Sequence, residues 1–242
     1  IDARPVSTPG ESENREEEAE KSRLLAAGDA TKVRGLAARA NDLAADRTDI
    51  MDSVKEISRP MAAPSVGALK KLKRIGRYLV GNGRLATRYE WQGDETEVTG
   101  YSDSDWAGCR VTGKSTSGGV ILIGSHFIKG WSRTQNHVTM SSAEAELIAL
   151  VKCTAECMGI QSMYRDSGTN PRCNLYADSS AALAIAKRKG AGKLRHINVS
   201  ALWIQDVQDR EGASYMKVLG TANPADLMTI HLTREQIDSA ID

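Results

Sequence analysis

Four acidic residues stand where an α/β chain places ligands. Asp103 lies inside the strand-like stretch Gly100-Tyr101-Ser102-Asp103-Ser104-Asp105, which Trp106-Ala107-Gly108 closes. Carboxylates are poor strand formers, so a strand that carries them needs a reason. Glu146 falls in the first turns of a long helix, Asp178 ends an apolar strand, and Asp226 opens the last motif, Asn223-Pro224-Ala225-Asp226. Strand carboxyl ends and helix starts are the ligand-bearing edge of an open sheet. Carboxylates gathered there repel one another, and divalent cations relieve the repulsion through oxygen ligation. Two such ions, about 3.5–4 Å apart, can activate a water and stabilise the leaving oxygen of a phosphodiester. Each carboxylate alone has a plainer reading, as a polar strand end or a partner of a helix dipole. The force lies in all four arriving in this element order.

The elements that must position them follow from the hydrophobic pattern. Val98–Ser104 reads as a strand, Gly113–Gly118 as a turn, Gly119–Gly124 as a second strand and Phe127–Arg133 as a third. Ser141-Ser142-Ala143-Glu144 is a capping-box-like start for a helix reaching about Tyr164. Cys173–Asp178 is a fourth strand and runs directly into a helix over Ser179–Ala186. A basic loop, 187–196, precedes a helix over about Ile197–Arg210, a fifth strand over Ser214–Leu219, and a helix opened by Asn223. Three meander strands followed by alternating units imply a mixed sheet flanked by helices.

Upstream, the chain is helical. Val33, Leu36, Ala37, Ala40, Leu43 and Ala44 recur at helical steps from Thr31, and Thr48–Ser58 carries Ile50, Val54 and Ile57 on one face. A third helix from Pro64-Ser65 to Val80 has Val66, Leu69, Leu72, Ile75 and Leu79 as its apolar stripe. Its other face holds Lys70, Lys71, Lys73, Arg74 and Arg77, either a solvated face or a contact for a phosphate backbone. Arg84–Trp91 reads as a short strand.

Composition bounds the class. At 242 residues, with 40% hydrophobic and 26% charged residues, the chain suits one large or two modest globular domains. A net charge of +1 does not by itself advertise nucleic acid. No run approaches the ~18–20 apolar residues of a membrane span, and the start lacks a secretory pattern. The expected setting is intracellular, cytoplasmic or nuclear, and not secreted, with no membrane partner. The first residue, Ile1, suggests a processed product or a fragment. Four cysteines (Cys109, Cys153, Cys157, Cys173) are too sparse for a disulfide framework and read as buried thiols rather than zinc ligands.

The segments Gly100–Gly108, Lys114-Ser115-Thr116-Ser117-Gly118, Ser141–Glu146, Tyr176-Ala177-Asp178-Ser179-Ser180-Ala181 and Ala225-Asp226-Leu227 resemble, in order and spacing, the ribonuclease H domain of Ty1/copia-type retrotransposon polyproteins. The resemblance implies an α/β RNase H-like fold with a five-stranded mixed sheet flanked by helices, preceded by a small helical segment. It implies hydrolysis of the RNA strand of RNA–DNA hybrids with two Mg²⁺ ions (Mn²⁺ as an alternative), with Asp103, Glu146, Asp178 and Asp226 as catalytic metal ligands. Asp105 competes with Asp103, and Glu144 with Glu146; the family pattern favours Asp103 and Glu146. Lys187, Arg188, Lys189, Lys193, Arg195 and His196, with the Lys70–Arg77 face, would hold the nucleic acid. Val33-Arg34-Gly35-Leu36, Arg47-Thr48-Asp49-Ile50 and the Ala68–Gly81 helix resemble the end of the same polyprotein's reverse transcriptase, whose remainder would be a partner. The polymerase's Tyr/Phe-x-Asp-Asp turn is absent from the sequence.

The expected organisation is an acidic tail over 1–30, a thumb-like helical segment over 31–92, the ribonuclease H-like domain over 98–232, and a tail over 233–242. Departures from the family pattern occur at Cys109, at Arg195-His196-Ile197-Asn198 and at Thr229-Ile230. None removes a carboxylate. They suggest divergence and keep a second expectation open, a decayed or domesticated fragment acting as a nucleic-acid-binding or structural subunit.

Overall fold

The computed structural model describes residues 4–11, 22–93, 97–190, 202–210 and 212–241. The chain divides into two compact units. One comprises Ile1–Thr87 with Ile230–Asp242, the other Arg88–Thr229.

The second unit is built on five strands: β1 (Glu97–Asp105), β2 (Thr116–Ile123), β3 (His126–Thr134), β4 (Arg172–Ala177) and β5 (Ser214–Lys217), in the order β3-β2-β1-β4-β5. β1 pairs antiparallel with β2, and β2 with β3, as short connections require. β1 pairs parallel with β4, and β4 with β5, through helical crossovers. This is the mixed five-stranded sheet flanked by helices that the resemblance implies. Its core packs Val98, Ile121, Leu147, Leu150, Leu175 and Ile204.

In the helical unit, α1 is Ala27–Leu43, α2 is Met51–Ser58 after a 3-10 turn at Thr48–Ile50, and α3 is Val66–Gly81. Ser65 caps α3, its hydroxyl accepting from Ala68 N–H. In the sheet unit, α4 (Ser142–Asp166) crosses the sheet, α5 (Ser180–Lys187) follows β4, and α6 is Trp203–Asp209. The chain's last helix, α7 (Arg234–Ile241), groups with the helical unit.

Several expected features differ. No strand forms over 84–91; side chains tie the stretch instead. Tyr89 donates to Phe127 O at 3.0 Å and Gln92 to Ile123 O at 2.8 Å, so residues 89–92 lie along the β2–β3 hairpin without a ladder. α1 starts four residues earlier than Thr31 and buries Ala30, Val33 and Ala37, while Leu36 and Leu43 are exposed. Small residues make the close contact, and the leucines flank it. The buried face of α3 is Ala68, Ile75 and Tyr78, with Val66, Leu69, Leu72 and Leu79 only half-buried. Tyr78 sets that rotation, because its hydroxyl donates to the buried Asp49 carboxylate at 2.8 Å. Asp49 also accepts two bonds from Arg47, at 2.9 and 2.6 Å, and Arg47 donates to Asn82 O. The Arg47-Thr48-Asp49 motif is therefore a buried fork that pins the end of α3. β5 stops at Lys217, two residues short of Leu219, and the segment after Asn223 is a 3-10 turn, Pro224–Met228. No helix among the described residues is long and apolar enough to cross a membrane.

One close approach sets the distance of α4 from the sheet. A Cβ on Gly100 would stand 2.6 Å from Cys157 Sγ, 2.7 Å from Cys153 Sγ and 2.8 Å from Leu175. The cysteines here are buried, free packing groups. Gly100→Val should overpack this contact and destabilise the sheet unit by about 1–3 kcal/mol. Urea unfolding followed by far-UV circular dichroism should report a lower midpoint with an unchanged slope.

Candidate metal centre

Parallel pairing of β1 with β4 aligns Ser102 with Ala177, so the next residues, Asp103 still within β1 and Asp178 just past the end of β4, stand side by side. Adjacent strands are ~4.8 Å apart, close enough for both carboxylates to share an ion. α4 brings the third group. Ser141 caps it by accepting from Glu144 N–H at 3.2 Å, and Glu144 reaches back to Met140 N–H at 2.8 Å. That reciprocal cap starts the helix where Glu146 projects onto the strand ends. One carboxylate oxygen from each of Asp103, Glu146 and Asp178 lies within 4.8 Å of the others.

Asp226 rides on the 3-10 turn Pro224–Met228, and two side-chain hydrogen bonds bind that turn to the sheet. Asn223 donates to Ser102 O at 3.1 Å and accepts from Ala225 N–H at 3.2 Å. Thr229 donates to Asp103 Oδ2 and, at 3.3 Å, to Asp226 O. Gly118 on β2 leaves room for the turn, since a Cβ there would stand 2.6 Å from Thr229 and 2.7 Å from Met228. Asp226 lies outside the 4.8 Å group but within electrostatic reach of Asp103 and Asp178.

The electrostatics are those of crowded, poorly hydrated carboxylates. Burial, then the Asp103 and Asp178 charges, push Glu146 up to about 8. The same causes push Asp226 up to about 7. Asp103 is raised by burial and Asp178, with the Thr229 hydrogen bond opposing. Glu146 Oε2 is buried with no hydrogen-bond partner among the described residues. An unsatisfied buried oxygen on a carboxylate grouped with two others fits a hard divalent cation. The all-oxygen donor set suits magnesium, calcium or manganese rather than zinc.

The competing acidic residues have other duties. Asp105 accepts from Thr116 N–H and closes the β1–β2 loop. Glu144 is spent on the helix cap. Neither belongs to the three-carboxylate group. The two positioning residues that sequence reasoning missed are Asn223 and Thr229, whose hydrogen bonds span 121 and 126 residues. No local pattern could have signalled them.

The basic residues are dispersed. Lys70 and Lys73 are exposed on α3. Lys71 pairs with Glu56 at 3.5 Å, Arg74 with Glu11, and Arg77 donates to Arg4 O at 2.7 Å. Lys187 and Lys189 are exposed at the end of α5 and Arg188 is half-buried; Lys189 pairs with Asp209 at 3.1 Å. Lys193, Arg195 and His196 lie outside the described residues.

No protein-family model matches the chain. It is 31% identical over 211 residues to the retrovirus-related Pol polyprotein from transposon RE1 of Arabidopsis thaliana, 85% of this chain and 14% of that one. It is 28% identical over 194 residues to the corresponding polyprotein from transposon TNT 1-94 of Nicotiana tabacum, 79% of this chain and 14% of that one. The chain thus spans about 14% of the length of these curated relatives. Among solved structures, a compost ribonuclease H1 in complex with an RNA/DNA hybrid aligns with a TM-score of 0.40 at 18% identity, over 60% of this chain and 99% of that one.

Ionising this centre in the metal-free protein costs stability. Glu146 is raised in the fold, so its contribution is intact below the unfolded value near 4.5 and is lost as pH rises towards about 8. In chelator, Glu146→Gln should raise the melting temperature at pH 8 by about 2–4 °C or more. The gain should vanish at pH 4, where both side chains are neutral; differential scanning calorimetry at the two pH values checks it.

Proposed function

We propose that this chain, a homologue of the retrovirus-related Pol polyproteins of Ty1/copia-type transposons, hydrolyses the RNA strand of RNA–DNA hybrids as their ribonuclease H part. The observation that carries the reading is the gathering of Asp103, Glu146 and Asp178 at the carboxyl ends of two parallel strands, with Glu146 Oε2 buried and unpartnered among the described residues. Homologous polyproteins and the five matching sequence blocks support the same reading.

In this reading Asp103, Glu146 and Asp178 hold divalent cations, with magnesium as the expected ion and Asp226 completing the site. Bound there, the metal supplies Lewis acidity for attack of water on a phosphodiester. The chain's own groups keep that arrangement in place. Thr229 fixes the Asp103 carboxylate through Oδ2, and Asn223 holds the Asp226 turn to β1. Neither bond needs the substrate, so the ligands are arranged before a hybrid arrives. Lys187, Arg188 and Lys189 would contact the phosphate backbone. Backbone contacts carry no base information, so cleavage should show little sequence preference, and 2′-hydroxyl contacts would select the RNA strand. The remainder of a reverse transcriptase is the expected functional companion.

The test is cleavage of a labelled hybrid with and without Mg²⁺. Wild type should cut only the RNA strand, and chelator should abolish cutting. Asp178→Asn should lower the rate by about a hundredfold or more. A Lewis-acid metal is worth several kcal/mol in the transition state, and each 1.36 kcal/mol is a factor of ten. Hybrid binding without cleavage by wild type would instead favour a binding subunit, and equal cutting of duplex DNA a DNA-directed nuclease.

A further inference from the structure

The ten residues between β1 and β2 hold a feature that the carboxylates do not explain. Trp106 directly follows β1 and is 54% exposed, although large aromatics usually contribute to cores. Ala107, next to it, has φ 54°. Non-glycine residues rarely adopt that conformation, and it persists where the surroundings over-determine it.

They do so here. Ala107 N–H donates to Ser115 Oγ at 2.9 Å, and Ser115 Oγ lies 3.1 Å from Thr139 Oγ1. The Trp106 indole N–H donates to Thr139 O at 3.3 Å. Asp105 accepts from Thr116 N–H at the other end of the loop, and Cys109 N–H closes a turn onto Lys114 O at 3.1 Å. Ser115 and Thr139 are buried. The ring is thus fixed between the segment that delivers Asp103 and the segment that leads into α4 and Glu146.

The surface around it has a definite chemistry. Val138 and Met140 are exposed on the segment that holds the indole. Arg110 is exposed and Lys114 half-buried in the indole's own loop, and neither side chain makes an ion pair among the described residues. A flat apolar face with unpaired cations, three residues along the chain from Asp103, is complementary to a polymer of sugars and phosphates. The indole N–H is already spent, so the ring has no hydrogen bond left to read a base edge.

We infer that Trp106 is the platform on which a sugar of the hybrid packs beside the scissile phosphate, with Arg110 and Lys114 holding the adjoining phosphates. The inference rests on the hydrolase reading. The contact is sequence-independent, because a sugar presents the same face whatever its base. It also fixes register, since a rigid ring at the end of β1 sets which phosphate faces the carboxylates.

The test is hybrid binding by fluorescence anisotropy across a salt series, in an Asp178→Asn background that blocks turnover. Trp106→Ala should weaken binding about tenfold or more and leave the salt slope unchanged, because no charge is lost. Trp106→Phe should regain most of the loss. Removing Arg110 and Lys114 together as alanines should lower the slope by about one to two. Should the alanine chain unfold on heating well below its parent, Trp106→Leu serves instead, filling the volume without a flat face. Binding by either variant within about twofold of the parent, or an unchanged slope in the double variant, overturns the inference while the hydrolase reading stands. A parent that fails to bind the hybrid removes both.

Discussion

Mutual repulsion among crowded carboxylates is the constraint on which this molecule turns. Asp103, Glu146 and Asp178 are brought within 4.8 Å of one another, with Asp226 in electrostatic reach. Left to themselves, such groups separate or take up protons. The sheet prevents separation. Parallel neighbours cannot move apart without breaking the β1–β4 ladder, and α4 cannot withdraw Glu146 while Cys153 and Cys157 pack against Gly100. The remaining freedom, that of the Asp226 turn, is removed by Asn223 and Thr229. Packing and hydrogen bonding over the whole sheet thus oppose an electrostatic cost concentrated at one edge, the usual trade at a functional site.

How much of this was legible beforehand follows from the range of each interaction. Asp103 could be read as lying inside a strand and Asp178 as ending one, because alternation and apolar runs are local signals. The Ser141–Glu144 cap announced the helix that carries Glu146 for the same reason. Asn223 looked only like a helix opener, and Thr229 only like a departure from a family pattern. Their partners lie more than a hundred residues away. The expected strand at 84–91 failed because strand propensity says nothing about whether an edge is free to pair. The basic stripe on α3 was visible by periodicity, yet Lys71 and Arg74 have acidic partners from other segments. The count of cations on a helix face therefore overstates the charge it offers.

The helical unit shows how a polar motif can be structural. Arg47, Asp49 and Tyr78 form a buried, hydrogen-bonded group, and removing one partner would strand a charge away from water. Its three members come from a 3-10 turn, the residue before it and the last turns of α3, so the fork holds a helix end that hydrophobic contact alone would leave to fray. The net contribution of such a buried ion pair to stability is small, because desolvation offsets most of its attraction.

The division of the chain has a consequence for the order of its assembly. Residues 88–229 are contiguous, whereas the helical unit needs both the first 87 residues and those from Ile230 onward. Arg234 reaches Asn82 across 152 positions, and His231 stands 3.6 Å from Asp52. A chain emerging from the ribosome holds everything required for the sheet and its carboxylates before α7 exists. Once the sheet unit has folded, the long loop between Asn82 and Arg234 is no longer a flexible coil, and closing it costs less entropy than its length implies. The sheet unit is thus complete in sequence before the helical unit can be finished.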